Sequence, residues 1–393
     1  MINFTFCAPT KVIFGKDTEN MVGKEVAALG GKKVLVHFGG ASAKKSGLLD
    51  RVYASLNAEK IPYVALGGVQ PNPHLSLVRE GIALCKKEGV DFILAVGGGS
   101  VIDSGKAIAY GITNDGDVWD LYLAKKTATA CAPIGCILTI AAAGSETSYS
   151  SVVTDEKEKR KRAYNDDIAR PKFAIMNPEL TYTLPEYQTM SGIVDVLMHT
   201  IERYFTNDKN VDLIDRMSEG LLVNVMENAR RLQKNPHDYE ARADVMWAGS
   251  LSHNGLTGTG RTGDFASHML EHELSGMFDV AHGAGLSAVW PSWARYVYKH
   301  DIPRFAQFAT RVMGVQNNYF NPEETALRGI AALEDFFRSI SMPTTIAELG
   351  IPDLTEKQID EMVKKCSWEG ARTVGQFVKL QNSDMKNIYE MAR

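Results

Sequence analysis

The chain has 393 residues, of which 45% are hydrophobic and 23% are charged. This length accommodates two domains with separate cores, and the composition is typical of a globular protein. The formal net charge of −4 gives no overall field that would attract nucleic acid. No run of about 18 apolar residues is present, so no membrane span is expected.

The cysteines are odd in number and scattered along the chain. They occupy positions 7, 85, 131, 136 and 366, and none belongs to a Cys-x-x-Cys pair. This spacing indicates neither a disulfide framework nor a thiolate zinc site, and it fits a reducing, cytoplasmic setting. Residues 3–6 are interpreted as an N-terminal strand that can pair with a second copy of the chain.

The first half of the chain alternates strand-like and helix-like segments. Strands are predicted at residues 33–38, 62–66, 91–96 and 133–140, and helices at residues 46–59, 76–88 and 101–110. Repeated βα units predict an α/β domain with a mostly parallel, Rossmann-like sheet over residues 1–182. The charged stretch 154–162 is interpreted as the tip of a hairpin.

The second half of the chain has a different pattern of predicted secondary structure. Helical patterns dominate there, including residues 213–233, 239–253 and 322–340, and strand signals are nearly absent. The sequence therefore predicts an all-helical domain over residues 183–393. The candidate metal ligands lie in this half and the glycine-rich loops in the first half, so an active site in the cleft between the two domains is expected.

Two glycine-rich loops follow predicted strands. Gly97-Gly98-Gly99-Ser100 stands between a buried strand and a helix, and Asp103 lies in the first turn of that helix. Backbone N–H groups at such a helix start can bind a phosphate, although a tight turn explains the glycines equally well. The second loop, Gly39-Gly40-Ala41-Ser42, ends the first strand in the same way.

The residues after the first strand bear on the choice of dinucleotide. In a dinucleotide-binding fold this position reads the adenosine ribose, and an acidic residue there favours NAD(H). The chain instead has Ser42 followed by Lys44 and Lys45. A hydroxyl and two lysines favour NADP(H) over NAD(H), unless the lysines are ordinary surface charges.

Two pairs of polar residues are candidate metal ligands. Asp195 and His199 are spaced i, i+4 among apolar neighbours on one predicted helix. His268 lies on a second predicted helix that Gly276 is expected to end, and His282 follows that helix in a glycine-rich turn. A carboxylate and three imidazoles suit Fe²⁺ or Zn²⁺ better than Mg²⁺ or Ca²⁺. The alternative is that each is a core histidine or part of a helix-face ion pair.

One more histidine lies beside the candidate ligands. His272 is one turn from His268, and it is predicted to act catalytically by relaying a proton to solvent. The alternative is a hydrogen-bonding role next to the ligands, or a place in the wall of the substrate pocket.

These motifs together resemble the iron-containing alcohol dehydrogenase family, in its butanol dehydrogenase and NADPH-dependent aldehyde reductase branch. The resemblance covers nearly the whole chain, and its most specific part is residues 254–285. The other stretches that carry it are residues 71–73 (PNP), 97–103 (GGGSVID), 142–146 (AAGSE), 170–173 (RPKF) and 192–199 (GIVDVLMH).

The resemblance implies a dehydroquinate synthase-like architecture, a homodimer and a set of site residues. The implied metal ligands are Asp195, His199, His268 and His282. The implied cofactor contacts are Gly39, Gly40, Ser42, Asn72, Gly97, Gly98, Gly99, Ser100, Asp103, Thr139, Ser148 and Lys161.

The implied function is metal-dependent hydride transfer between NAD(P)(H) and primary aliphatic alcohols or aldehydes of the butanol and butanal type. Two other enzymes of the same fold remain as alternatives: a glycerol- or propanediol-type polyol dehydrogenase, and a dehydroquinate synthase-like lyase. A non-catalytic metal- or nucleotide-binding protein is a further alternative, although all four ligand positions are filled here.

Overall fold

The computed structural model describes all 393 residues and divides the chain into two compact units. One comprises Cys7–Leu184, and the other comprises Met1–Phe6 with Pro185–Arg393. The first six residues therefore group with the helical half, whereas the division expected after residue 182 assigned them to the α/β half. Within that helical unit, the Ile2 N–H donates to the Gly260 carbonyl oxygen at 3.0 Å.

The α/β unit contains a parallel sheet and a separate hairpin. The sheet strands are β1 (Lys11–Phe14), β2 (Val34–Phe38), β3 (Tyr63–Leu66), β4 (Phe92–Gly97), β5 (Ile134–Leu138) and β8 (Phe173–Met176), and the hairpin strands are β6 (Ser150–Asp155) and β7 (Arg160–Asn165). The sheet order is β1-β8-β5-β4-β2-β3, with every pair parallel. The predicted parallel sheet and the hairpin tip are confirmed, but residues 3–6 form no strand.

Helices cover both faces of this sheet. They are α1 (Val22–Ala28), α2 (Ser42–Lys45), α3 (Leu48–Ala58), α4 (Leu75–Glu88), α5 (Gly99–Thr113) and α6 (Trp119–Tyr122). The single helix predicted at residues 46–59 is wrong at its start, because Gly47 adopts a φ of 70° and separates α2 from α3. Glycine tolerates this left-handed conformation at little cost.

Alternation along the strands builds two hydrophobic clusters. Within β2, Val34 and Val36 belong to a cluster that includes residues of α1 and α3, whereas Leu35 belongs to a cluster with residues of α4 and α5. Successive side chains of a strand point to opposite faces. Because β2 is buried at every position, it packs against helices on both sides, as is usual in a parallel sheet.

The helical unit contains nine α-helices. They are α7 (Glu186–Tyr204), α8 (Asp212–Lys234), α9 (Tyr239–His253), α10 (Ala266–Phe278), α11 (His282–Val297), α12 (Ile302–Arg311), α13 (Pro322–Ser339), α14 (Glu356–Cys366) and α15 (Asn382–Ala392). Side-chain caps fix several of their starts: the Glu324 N–H, for example, donates to Asn321 Oδ1 at 3.2 Å before α13. None of the helices has the length and apolarity needed to cross a bilayer.

A buried histidine of β2 makes the stability of the protein pH-dependent. His37 is fully buried, its Nδ1 lies 2.9 Å from the Leu66 carbonyl oxygen, and its Nε2 lies 2.8 Å from Ser104 Oγ. Nδ1–H therefore donates to the carbonyl, and Nε2 accepts from the serine hydroxyl. Burial lowers the pKa of His37 to about 4, from 6.5 for a free histidine.

We expect this histidine to destabilise the protein in mild acid. Between about pH 6.5 and 4 the unfolded chain binds a proton at His37 that the folded chain does not, so the free energy of unfolding falls by up to about 3 kcal/mol as the pH drops. Urea unfolding at pH 7 and pH 4.5 measures this loss. The variant His37→Asn, which cannot titrate, should lose correspondingly less; equal losses would contradict the assignment.

Candidate metal centre and cofactor loops

Helix α7 carries the first two predicted ligands inside the helical unit. Every residue from Thr189 to Tyr204 is buried, including Asp195 and His199 on one face of the helix. The His199 Nδ1–H donates to the Asp195 carbonyl oxygen at 3.0 Å and lies 2.9 Å from Asp195 Oδ1. Because Nδ1 holds the proton, His199 Nε2 keeps a lone pair for a cation.

Helices α10 and α11 bring two further histidines to this aspartate. His268 lies in the first turn of α10 and His282 is the first residue of α11. Asp195 Oδ1 lies 3.6 Å from His268 Nε2 and 3.8 Å from His282 Nε2. The three residues form a group able to hold a metal ion, with all ligand atoms within 4.8 Å of one another.

The donor atoms of this group fit a divalent cation. Two ligand atoms about 2.1 Å from a tetrahedral ion are separated by about 3.4 Å, close to the Asp195–His268 spacing. Asp195 Oδ1 and His268 Nε2 are both buried and neither accepts or donates a hydrogen bond, since the nearby His199 Nδ1–H is directed at the Asp195 carbonyl oxygen instead. Buried polar atoms are normally paired, so two converging unpaired atoms are the arrangement expected where a cation belongs.

The protonation states of Asp195 and His199 also suit a metal site. Burial alone raises the pKa of Asp195, but the imidazoles of His199 and His282 outweigh it and hold the pKa well below its usual range. Burial lowers the pKa of His199 to about 4. At neutral pH this pair is therefore a carboxylate and a neutral imidazole, the forms that ligate metals.

Two buried glutamates near these histidines were not predicted from the sequence. His268 Nδ1 hydrogen-bonds to Glu202 Oε2, and His282 Nδ1 hydrogen-bonds to Glu271 Oε2. Burial opposes a charge on His268, yet the Glu202 carboxylate raises its pKa to about 9, so cation binding there releases a proton at neutral pH. The missed signal is spacing: Asp195, His199 and Glu202 lie at i, i+4 and i+7 on α7.

The other two predicted site histidines, His199 and His272, lie beside the group of Asp195, His268 and His282 and are not part of it. The His199 ring centre lies 4.4 Å from that of His268, but His199 is outside the three-residue group. The His272 ring centre lies 5.5 Å from that of His282, and His272 forms a second ligand-bearing group with Glu271 and His282. Helix α10 also runs through Gly276, contrary to prediction, and ends before Asp279, whose φ is 54°.

Close backbone packing fixes the position of His282. An ideal Cβ on Gly283 would lie 1.9 Å from the Ser191 carbonyl oxygen of α7. Only glycine fits this approach, because the obstacle is backbone rather than a movable side chain.

Gly283→Ala is expected to push the start of α11 away from α7, lower the free energy of unfolding by about 1–3 kcal/mol, and reduce cation binding with it. Urea unfolding and metal analysis measure both. Gly220→Ala is the matched control, since no atom lies within 4 Å of its ideal Cβ, and it should be neutral or stabilising. Normal metal content in Gly283→Ala would show that this contact does not position His282.

In the α/β unit, the two glycine loops follow the neighbouring parallel strands β2 and β4, so both lie at the same edge of the sheet. The chain runs from β2 outward to β3 and returns to β4 on the other side of β2, which pairs with both strands. Gly39 and Gly40 follow β2, and Gly97 to Ser100 end β4 and open α5. Such a switch in strand order is where open α/β sheets bind nucleotides.

A second loop lies over these glycines. The Thr139 N–H donates to the Gly97 carbonyl oxygen at 3.1 Å, and an ideal Cβ on Gly98 would lie 2.1 Å from Ile140 Cγ2. The missing side chain therefore lets residues 139–143 cover the helix start. Of the predicted contacts in this region, Asn72 is buried with a φ of 52°, and Ser42 is exposed at the start of α2.

Three predicted cofactor residues are engaged inside the unit. The Asp103 carboxylate accepts hydrogen bonds from Ser145 Oγ and from the Val152 N–H, the latter at 3.0 Å. Ser148 Oγ lies 3.4 Å from Lys106 Nζ, and Lys161 is buried on β7. Asp103 therefore ties the loop after β5 to α5, a role that its place in the first helical turn did not reveal.

Comparison with known proteins agrees with this architecture. Residues 9–178 match the family model of the iron-containing alcohol dehydrogenases, and residues 189–393 match the model of that family's C-terminal part. The chain is 39% identical to the probable NADH-dependent butanol dehydrogenase 1 of Bacillus subtilis, over 99% of each chain. It is 34% identical to the NADPH-dependent aldehyde reductase YqhD of Escherichia coli, over 100% of each chain.

Among solved structures, NADH-dependent butanol dehydrogenase A from Thermotoga maritima matches with a TM-score of 0.95 at 37% identity, over 100% of this chain and 99% of that one. Both halves of the chain are thus matched by family models, full-length relatives and a full-length structure. The chain belongs to the iron-containing alcohol dehydrogenase family.

Proposed function

We propose that this protein transfers hydride between NAD(P)(H) and primary aliphatic alcohols or aldehydes of the butanol and butanal type. The observation that carries the proposal is the group of Asp195, His268 and His282, in which two buried atoms without a hydrogen bond lie 3.6 Å apart, in a member of this family. Relatives named for butanol and for aldehydes at 34–39% identity support the substrate class.

In this proposal Asp195, His199, His268 and His282 hold Fe²⁺, with Zn²⁺ as the alternative. A bound cation supplies Lewis-acid polarisation of the substrate oxygen. His272 passes the proton, being half-buried beside His282. The Phe265 ring, centred 5.5 Å from that of His268, offers an apolar surface that suits an aliphatic chain.

The two glycine loops are proposed to bind the dinucleotide, with NADPH preferred over NADH. Ser42, Lys44 and Lys45 are exposed immediately after β2, and no acidic residue stands there. A hydroxyl and two ammonium groups can bind a 2′-phosphate, whereas the acid that selects a free ribose hydroxyl is missing. The named relatives include both NADH- and NADPH-dependent enzymes, so this preference needs its own test.

Replacing both lysines, in Lys44→Ala/Lys45→Ala, is expected to raise the KM for NADPH about tenfold and to leave the KM for NADH unchanged. A charge-assisted hydrogen bond contributes about 1.5–3 kcal/mol, and each 1.4 kcal/mol is a factor of ten. Steady-state kinetics with both cofactors measure the split. Lys32→Ala is the control, since this exposed lysine precedes β2 instead of following it. Equal effects on both cofactors would contradict 2′-phosphate recognition.

The function itself is tested by the loss of reduced-nicotinamide absorbance with butanal. NADPH and NADH are compared before chelation, after chelation, and after Fe²⁺ or Zn²⁺ is added back. Turnover with NADPH that disappears on chelation and returns with metal supports the proposal. A protein that holds metal but oxidises neither cofactor would contradict it.

A polyol substrate is the second candidate, because a 1,3-propanediol dehydrogenase of Citrobacter freundii is 28% identical over 92% of each chain. Relative kcat/KM for butan-1-ol and propane-1,3-diol separates the two. The apolar ring of Phe265 favours butan-1-ol, since a second hydroxyl placed against it would lose its hydrogen bonds to water.

We also propose a cytoplasmic homodimer. All five cysteines are free thiols, which suits a reducing compartment. Ile2, Phe4 and Phe6 are exposed in the chain, and a second copy can cover them. Light scattering that gives the 43.2 kDa mass of one chain, instead of twice that mass, would contradict the dimer.

A further inference from the structure

Each of the two histidines that face Asp195 is held from behind by a buried carboxylate. His268 Nδ1 donates to Glu202 of α7, and His282 Nδ1 donates to Glu271 of α10. Both glutamates have no exposed surface. Burying an ionisable group completely costs free energy because it loses its hydration, so a buried carboxylate needs a compensating interaction. Each of these glutamates has one with the Nδ1 atom of its own histidine.

Glu202 fixes the backbone and the ring of the same histidine. Its Oε1 accepts the N–H groups of Ser267 at 2.6 Å and His268 at 3.3 Å, while Oε2 accepts the ring Nδ1–H. The first turn of α10 has N–H groups with no partner in the helix. One carboxylate therefore caps the start of α10 and also fixes the orientation of the His268 imidazole ring.

Glu271 is held just as firmly. Its Oε1 accepts the hydroxyl of Ser275 one turn further along α10, and its Oε2 accepts His282 Nδ1–H. An ideal Cβ on Gly285 would lie 2.7 Å from Glu271 Oε1 and 2.8 Å from Glu271 Cγ. The glycine one turn into α11 therefore leaves the space that this carboxylate occupies.

We propose that Glu202 and Glu271 are positioning residues that hold His268 and His282 as Nδ1-protonated imidazoles, so that both Nε2 atoms point at one cation with Asp195. The inference rests on the proposed metal centre and deepens it. An imidazole free to rotate or to move its proton presents a lone pair only part of the time. Carboxylates behind ligating histidines raise metal affinity about 10–100-fold.

The test uses the full chain and a metal whose binding can be seen directly. The purified protein is stripped of metal and titrated with Co²⁺, and its affinity for Zn²⁺ is measured by competition with a chromogenic chelator. Glu202→Gln and Glu271→Gln keep the shape of each side chain but remove its charge. Each is expected to weaken Zn²⁺ binding about 10–100-fold and to change the visible spectrum of bound Co²⁺.

Glu273→Gln is the matched control. Glu273 is a buried glutamate of the same helix, two residues from Glu271, whose charge acts on Tyr389. It should leave Zn²⁺ affinity and the Co²⁺ spectrum unchanged. If Glu271→Gln does not fold, Gly285→Ala replaces it, because the added methyl displaces the carboxylate without removing it and should weaken Zn²⁺ binding in the same direction.

The outcomes distinguish the positioning role of the two glutamates from the existence of the metal centre. Wild-type affinity in both glutamine variants and in Gly285→Ala, even with lower melting temperatures, overturns the positioning role and leaves the metal centre standing. A wild-type protein that binds neither Co²⁺ nor Zn²⁺ overturns the metal centre and this inference together. Weakened binding in the glutamine variants with an unchanged Glu273→Gln supports the inference.

Discussion

Replacing His268 with alanine is expected to abolish cation binding and turnover together. The substitution removes a buried Nε2 without a hydrogen bond that lies 3.6 Å from Asp195 Oδ1. Lewis-acid catalysis contributes several kcal/mol to the rate, and each 1.36 kcal/mol is a factor of ten. Losing the cation should therefore lower kcat for butanal reduction at least about a thousandfold.

The same substitution has a second, separable effect on stability. Glu202 stays buried after its imidazole partner is removed, and breaking a buried pair in this way costs about 3–5 kcal/mol. Elemental analysis for metal content, kinetics with butanal and urea unfolding measure the three consequences independently. His237→Ala is the control, because His237 is exposed in the turn between α8 and α9. Full metal content and activity in His268→Ala would show that the ligand assignment is wrong.

The second large effect is expected at Lys106, in the α/β unit. This lysine has no exposed surface, and its Nζ donates to the carbonyl oxygens of Ser145 at 2.8 Å, Ser148 at 3.0 Å and Ser150 at 2.7 Å. All three N–H groups of the ammonium are thus used to hold the loop between β5 and β6 and the first residue of β6. Burial lowers the pKa of Lys106, and the nearby Asp103 carboxylate opposes that effect.

Lys106→Met fills the same volume but leaves three carbonyl oxygens and Asp103 buried without this partner. The free energy of unfolding should fall by about 3–5 kcal/mol. The loop also covers the glycines at the start of α5, so the KM for NADPH should rise even where the protein stays folded.

Urea unfolding and cofactor kinetics check both effects of Lys106→Met. Lys86→Met is the control: it alters an exposed helix lysine, so its effect should stay within about 0.5 kcal/mol. An equally small change at Lys106 would mean that the buried ammonium does not hold the loop.

Much of the α/β fold could be predicted because its four central strands, β2, β4, β5 and β8, are buried on both faces. Such strands appear as uninterrupted apolar runs ending in glycine, as Phe92–Gly97 does, and repeated βα units leave few alternatives to a parallel sheet. The order of the strands was not predicted, because it depends on contacts between distant segments. The break at Gly47 was missed for a related reason: a glycine inside a helical pattern does not reveal its own φ.

The candidate site was predictable only where spacing and residue type acted together. Asp195 and His199 stand out because acidic and imidazole groups are rare in an apolar helix. Glu202 shares their face of α7, but neither it nor Glu271 stands out by residue type, since glutamate is common on exposed helix faces and the sequence does not show that both are buried. Lys106 was missed in the same way, because its burial depends on a loop 40 residues further along.

The placement of residues 1–6 has a consequence for synthesis. Ile2 pairs with Gly260, and the Met1 amino group donates to the Lys209 carbonyl oxygen at 2.5 Å. Ribosomes add about 5–20 residues per second, so this segment waits roughly ten to fifty seconds for its partners to emerge. Throughout that time the Ile2 N–H lacks the carbonyl acceptor that it has in the folded chain. The backbone of residues 1–6 can therefore reach its final place only late in synthesis, after residue 260 has been made.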